Sequence, residues 1–438
     1  MTSAFTGEAI QGVRRRWRVR AATPEGAELA DAIQAPSLVG QLLWQRGVRD
    51  PDAGRQFLEP KLTDLHDPKD LAGVDKAAHR LADALRAGET IAIYGDYDVD
   101  GVTGLAILYH TLKTAKNDAE ILRYVPHRVD EGYGVNAEAV GKLADAGAKV
   151  IVTVDCGITA CEPAKAASEH GVDLIITDHH EMADALPEAY CLVHPRLEND
   201  DGGTYPFADL CGAGVALKLA WHFARVWCGS DRVAEVFREL LVDLLPLAAL
   251  GTVADVTPLV GENRIITTFG LQRIKGTRFP GLSALIDTAN LRGEKVDSYH
   301  VGFVLGPRLN ACGRMGHAKE AVKLLTDAKG EDARQIALML NRENESRRAT
   351  EKQMLQQARR MVADGGYDQP ESPVIVLGHE DWHPGVVGIV CSRLVDIYHR
   401  PVVLLNTANG VATGSARSIP GFNICQAFAA CADDLETF

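Results

Sequence analysis

Strand-like and helical patterns alternate between residues 90 and 194, and this alternation constrains the fold more than any other feature of the chain. Short runs rich in Val, Ile and Thr occupy 90–94, 120–125, 150–155, 172–177 and 190–194. Helical patterns at 102–116, 137–146 and 161–170 lie between them. Parallel strands need crossover helices, so the pattern predicts an α/β unit, a mainly parallel sheet with helices on both faces. In such sheets, sites form where loops leave the carboxyl ends of the strands. Polar residues gather at those ends. Asp96, Asp98 and Asp100 follow the first run, Asp155 ends the third, Asp178, His179 and His180 end the fourth, and His194 ends the fifth.

Helical sequence dominates 211–254, and 331–361 reads as one long polar helix rich in Arg, Glu and Gln that Gly365 and Gly366 break. A smaller α/β unit begins near Pro373, with strands at 374–377, 401–406 and 411–417 and a helix at 386–398. The expected organisation is a helical extension (1–70), the main unit (71–330), a connecting helix (331–365) and the smaller unit (366–438), with a groove between the two α/β units. No apolar stretch approaches the ~20 residues that span a bilayer. Residues 1–10 lack a charged leader with an apolar run, which points to the cytoplasm. The net charge of −13 argues, at face value, against a nucleic-acid partner. A carboxylate cluster holding cations would lose that local charge on metal binding. Two basic segments also stand out. One is Arg14, Arg15, Arg16, Arg18 and Arg20 around Trp17; the other holds Arg342, Arg347, Arg348, Arg359 and Arg360. Each also reads as a solvated helix face.

Asp96, Asp98 and Asp100 alternate with other residues directly after an apolar strand. In an extended segment, that alternation puts all three on one side. Three like charges packed together are costly without cations, and an all-oxygen set suits Mg²⁺ or Mn²⁺. An EF-hand loop is a rival reading, but its twelfth position from Asp96 is Ile107 rather than Glu. A plain Asp-Gly turn is another. Asp155, taken alone, also reads as an N-cap for the following helix. Asp178, His179 and His180 leave a buried strand together, so one imidazole is free to ligate metal while its neighbour faces a substrate. Asp255 interrupts the end of an apolar helix, where an unpaired carboxylate would be costly.

These four elements together resemble the DHH phosphoesterase superfamily, and within it the RecJ exonucleases. The resemblance runs from about Leu38 to the C-terminus. Further segments carry it: 125–135 around Arg128, 305–315 with Arg308, Asn310 and Arg314, 381–389 with His383, and 413–423 with Arg417 and Ser418. It implies a mainly parallel-sheet DHH domain, a long connecting helix and a smaller α/β DHHA1 domain. It implies two Mn²⁺ or Mg²⁺ ions held by Asp98, Asp100, Asp155, His179 and Asp255, with Asp155 as the bridge and Asp96 ligating or supporting. Asp178 would orient its neighbouring histidine, and His180 would contact the scissile phosphate. Arg128, Arg308, Asn310 and Arg314 would hold phosphates near the cut, and Arg417 and Ser418 a phosphate in the second domain. His383 would bind the 5′ end or cap a helix.

The implied activity is 5′→3′ hydrolysis of single-stranded DNA to 5′-mononucleotides in repair and recombination. The implied partners are the strand itself, a single-strand-binding protein and a helicase, with the enzyme a monomer and no membrane involved. Two departures stand against the family pattern. Ala416 occupies a position usually held by Gly, and the chain stops before a Gly-Gly-His segment and an oligonucleotide-binding fold. Two rivals share the main motifs: a DHH enzyme for oligonucleotides or cyclic dinucleotides, and a non-catalytic scaffold that would lose metal ligands.

Overall fold

The computed structural model describes residues 9–11, 16–18, 20–127, 131, 132, 134–199 and 201–436. Among these, β1 (Ala9–Gln11) and β2 (Arg16–Arg18) pair antiparallel, so part of the first basic segment is strand rather than helix. Alternation of charge and apolar residue at Arg16, Trp17 and Arg18 is a period-two pattern, which a strand satisfies. Three helices follow, Pro24–Ala32, Ser37–Gln45 and Pro51–Leu58.

The main sheet contains β3 (Thr90–Gly95), β4 (Ile121–Tyr124), β5 (Ala148–Val154), β6 (Asp173–Thr177) and β7 (Cys191–Val193) in the order β4-β3-β5-β6-β7. Every neighbouring pair is parallel. Side chains alternate between two cores. Ile91, Ile93, Val150, Val152, Val154 and Ile175 enter a large helical layer on one face, while Ala92, Tyr94, Ile151, Leu174 and Ile176 face a smaller one. Burial on both faces explains why these strands read as continuous apolar runs. From β3 the chain winds first to one side and then to the other, which creates a switch point between β3 and β5. Crevices open at such points outside the carboxyl ends of strands.

The large layer is built on the helix Val99–Ala115, apolar almost all round and packed against Gly212–Cys228 and Glu235–Ala254. All-round apolarity is the mark of a helix enclosed by others. The long helix Gly330–Asp364 starts one residue before the expected 331 and continues three residues past the expected end at 361. Ala333, Ile336, Ala337 and Leu340 anchor its first part in the large core, and Met354, Ala358 and Val362 anchor its last part in a separate core. That second core belongs to a sheet of order β10-β9-β8, formed by β8 (Ile375–His379), β9 (Val402–Asn406) and β10 (Thr413–Arg417), with the helix Pro384–Tyr398 upon it. β8 and β9 are parallel, β9 and β10 antiparallel. No helix of the described residues is long and apolar enough to cross a membrane.

Candidate metal centre

The loops leaving β3, β5 and β6 converge at the switch point. After β3 the segment is not extended, contrary to the reading that aligned three aspartates by alternation. Asp98 instead caps the helix Val99–Ala115, its Oδ1 accepting the N–H groups of Asp100 (2.9 Å) and Gly101 (3.1 Å). An aspartate just before an apolar helical run is the ordinary start signal. Asp100 then points inward from the first turn and is buried. Its carboxylate accepts from the amides of Gly212 (2.5 Å) and Ala213 (2.9 Å), the first residues of another buried helix. Two helix N-termini thus face the acidic cluster, and their positive ends favour anionic groups.

Asp155 does not cap the following helix, whose N-cap is Ala160. It sits one residue past β5 with φ = 65°, a left-handed conformation that a non-glycine residue seldom adopts. Neighbouring bonds hold it there. Its N–H donates to Thr177 O (3.1 Å), the Thr153 hydroxyl donates to Cys156 O (2.7 Å), and the Thr177 hydroxyl donates to Thr153 O (2.7 Å). Strained backbone held by its surroundings is a recurrent property of functional sites. Val256, next to Asp255, has φ = 63° and is 85% exposed. Of the five non-glycine residues with positive φ among the described residues, Gln34, Asp155, Val256, Asn290 and His399, two thus lie in or directly beside the acidic cluster.

Three groups of donors lie close enough to share a cation: Asp155 with His179 and His180, Asp100 with His179 and Asp255, and Asp96 with Asp98 and Asp155. His179 Nε2 stands 3.0 Å from Asp155, 3.7 Å from Asp100 and 3.8 Å from Asp255. The Asp178 carboxylate is a hub beneath the two rings. Its Oδ1 accepts the His179 amide (2.7 Å), the His180 amide (3.2 Å) and His180 Nδ1 (2.7 Å), while Oδ2 accepts the Ile158 amide (2.9 Å). Buried His194 braces the same loop. Its Nδ1 accepts the Arg196 N–H, so Nε2 carries the proton and donates to His180 O at 2.9 Å.

Burial, then repulsion from Asp100, Asp98, Asp96 and Asp178, pushes the Asp155 carboxyl well above its ordinary range. Burial also raises Asp100, with Asp98 adding to it and His179 opposing. Asp255 is pushed up to about 7 by burial, Asp100 and Asp98. Burial lowers His179, which favours the neutral ring that a metal ligand requires. His180 goes the other way, raised by its hydrogen bond to Asp178. Burial alone would raise Asp178, but the His180 bond and the surrounding amides outweigh it and hold the carboxyl low. Repelling carboxylates beside a neutral imidazole form a donor set that a hard or borderline divalent cation fits.

The other expected site residues fall into separate places. Asn310 and Arg314 lie on the helix Gly306–Met315. Asn310 Oδ1 accepts the Val99 amide (3.0 Å), tying this helix to the acidic loop, and Arg314 Nη1 donates to Gly385 O (3.1 Å) across to the second unit. Both line a cavity of about 670 Å³ between that helix, the long helix and the helix Pro384–Tyr398. Arg308 is engaged with Val304 O and Asn341 Oδ1. His383 caps the helix Pro384–Tyr398, its Nδ1 accepting the Gly385 amide (3.1 Å). Arg417 bonds Ser415 Oγ and Ala416 O, and Ser418 bonds Phe422 O. Arg128 lies outside the described residues, as do Arg14 and Arg15.

Sequence reasoning missed the glycines that let these parts meet. A Cβ on Gly212 would lie 2.5 Å from Asp155 Cβ, and one on Gly251 would lie 2.3 Å from Asp100 Oδ1. The small-residue run Gly212, Ala213, Gly214 at a helix start is the signal that was available.

A model described as the DHH family, N-terminal domain, matches residues 90–252, and one described as the DHHA1 domain matches 371–436. The switch-point sheet with its Asp-His-His loop thus defines a DHH-family protein. The chain is 40% identical to the single-stranded-DNA-specific exonuclease RecJ of Bacillus subtilis, over 97% of this chain and 52% of that protein. It is 37% identical to the Escherichia coli RecJ of the same description, over 91% of this chain and 68% of that one. A crystal structure of RecJ from Thermus thermophilus in complex with Mn²⁺ matches with a TM-score of 0.77 and 33% identity, over 94% of this chain and 56% of that chain. The chain belongs to the RecJ family. It spans about half to two thirds of the length of the relatives it matches.

Proposed function

We propose that this chain is a divalent-metal-dependent exonuclease that hydrolyses single-stranded DNA 5′→3′ and releases 5′-mononucleotides during DNA repair and recombination. One observation carries the reading: Asp155 is shared by two of the three donor groups, and His179 also by two. That sharing supports a pair of ions bridged by Asp155, with Asp96, Asp98, Asp100, His179 and Asp255 completing the ligand set. When bound, two Mn²⁺ or Mg²⁺ ions supply an acidified water and neutralise charge on the reacting phosphate.

The protein's own groups do the positioning. Asp178 fixes the His180 ring through Nδ1, which orients the imidazole for contact with a phosphate oxygen. The raised affinity of His180 for a proton suits that contact. His194 holds the His180 carbonyl and so the loop that carries the ring. Arg314 and Asn310 face the cavity beside the acidic loop, suited to the phosphates next to the cut. Arg128 and Arg308 join them in this reading, while Arg417, Ser418 and His383 serve the strand in the second unit. The same reading has the protein act as a cytoplasmic monomer on strands presented with a helicase and a single-strand-binding protein.

The test is a nuclease assay on 5′- and 3′-labelled single strands with each metal. Mononucleotide release from the 5′ label, with Mn²⁺ or Mg²⁺ required, is expected. Activity that survives exhaustive chelation, or faster hydrolysis of dinucleotides and cyclic dinucleotides than of long strands, would overturn it.

A further inference from the structure

Two large aromatic side chains stand in water beside the cationic cavity. Tyr299 is 62% exposed and Phe303 71% exposed, and their rings lie 4.9 Å apart at 31°. They sit on the short helix Ser298–His300 and the π-helical turn Val301–Leu305, which runs directly into the helix Gly306–Met315. One face of this turn is fixed. Val301 and Leu305 are fully buried in the large core, and residues four apart share a face, so 299 and 303 project together on the other. Asp297 closes the start with a capping box through His300. The aromatic pair is therefore held rigidly and aimed outward, not left over from incomplete packing. Single π-turns within helices occur often at functional sites.

Phe303 also lines the cavity that holds Asn310 and Arg314. Five cationic side chains line that cavity against one carboxylate, Glu351, which is itself paired with Arg347 and Arg393. Phe303 is seven residues before Asn310, about 10 Å along a helix, and Asn310 bonds the acidic loop. A positive channel with aromatic rings at its edge is how proteins hold single-stranded nucleic acid without reading its sequence.

We propose that Tyr299 and Phe303 form a stacking platform for nucleobases of a single strand whose backbone lies in this cavity. The proposal rests on the reading of the chain as a single-strand nuclease and adds a residue-level account of how the strand is gripped. Base–aromatic stacking predicts a loss of about 5- to 150-fold in strand affinity when a platform ring is removed. The loss should be similar for all four bases.

The experiment uses the full chain, with strand binding measured under chelation so that nothing is degraded. Tyr299→Ala/Phe303→Ala is compared with wild type and with Phe303→Trp, which keeps a ring. Both positions are exposed, so folding is not at stake. An abasic site is walked along the strand, and 2-aminopurine is placed at the position that responds. In wild type, one or two abasic positions should cost about as much affinity as the double alanine variant. At those positions the variant should lose nothing more, and 2-aminopurine quenching should vanish in it and return in Phe303→Trp. Unchanged affinity, or losses that simply add at every position, would overturn the platform even if the protein degrades strands as expected. Loss of binding to a protein partner with strand affinity intact would also overturn it. Conversely, coupling seen in a protein that binds but cleaves nothing would uphold the platform and defeat the nuclease reading alone.

Discussion

Gly212→Ala tests whether the acidic cluster depends on close packing rather than on its ligands alone. The added methyl would sit 2.5 Å from Asp155 Cβ and 2.8 Å from Asp155 Oδ1, well inside ordinary contact. Something must move by about 1 Å, and a shift of that size at reacting groups costs on the order of 100-fold in rate. The Gly212 N–H that donates to Asp100 is retained in alanine, so no hydrogen bond is deleted outright. Overpacking costs about 1–3 kcal/mol, and the better helix propensity of alanine returns up to about 1 kcal/mol. Stability should therefore fall by no more than about 3 kcal/mol, while kcat/KM falls about 100-fold, equivalent to about 2.7 kcal/mol of barrier. The measurements are Mn²⁺-dependent release from a 5′-labelled strand, a thermal melt and a calorimetric Mn²⁺ titration. Gly229→Ala is the control. There the glycine caps a helix with φ = 61° and a Cβ meets nothing, so stability alone should suffer. Wild-type turnover and metal affinity in Gly212→Ala would refute the argument that this contact sets the position of Asp155.

Asp155→Asn keeps a residue that tolerates a left-handed backbone but removes the shared charge. Hydrolysis should fall to background, and the metal-free variant should melt above metal-free wild type because mutual repulsion in the cluster is relieved; near-wild-type turnover would count against the bridging role. Asp178→Asn exchanges a carboxylate that only accepts for an amide that must also donate, amid four N–H donors. Activity should drop about 10- to 100-fold, as for other groups that orient a metal-site histidine, with an accompanying change in the His180 imidazole NMR signals; unaltered signals would sink this account. Lys218 and Glu262 form a fully buried ion pair. Lys218→Met should cost about 3–5 kcal/mol in a urea melt, and a loss below 1 kcal/mol would show the pair to be dispensable.

The strands of the main sheet were legible because each is buried on both faces and so reads as an unbroken apolar run. The acids at their ends were legible for the same reason, since they interrupt those runs. Backbone conformation was not. The expectation of an extended Asp96–Asp100 segment failed because Asp98 starts the helix itself, bonding two amides that a later helix start at 102 left unassigned. Taken alone, Asp155 also read as a cap, yet its left-handed turn depends on the Thr153 hydroxyl, which bonds Cys156 O within the turn, and on the Thr177 hydroxyl, which crosses from the next strand to Thr153 O. His194 was visible at a strand end, but its hold on the His180 carbonyl is a contact made by folding. Gly212 and Gly251 matter only through what lies opposite them, and no local pattern records that. In the second unit, the helix-capping alternative for His383 is the one its geometry displays.

The 35-residue helix Gly330–Asp364 works as a rotary spacer. Its two ends are clamped in different cores, with Leu340 the last anchor in one and Met354 the first in the other. Each residue added between them would swing the smaller lobe by about 100° while advancing it only about 1.5 Å. The angle of the smaller lobe about the helix axis is thus quantised by residue count. Length changes in this stretch are tolerable only near whole numbers of turns, so a single insertion near Ser346 would disconnect the lobes while leaving each one folded.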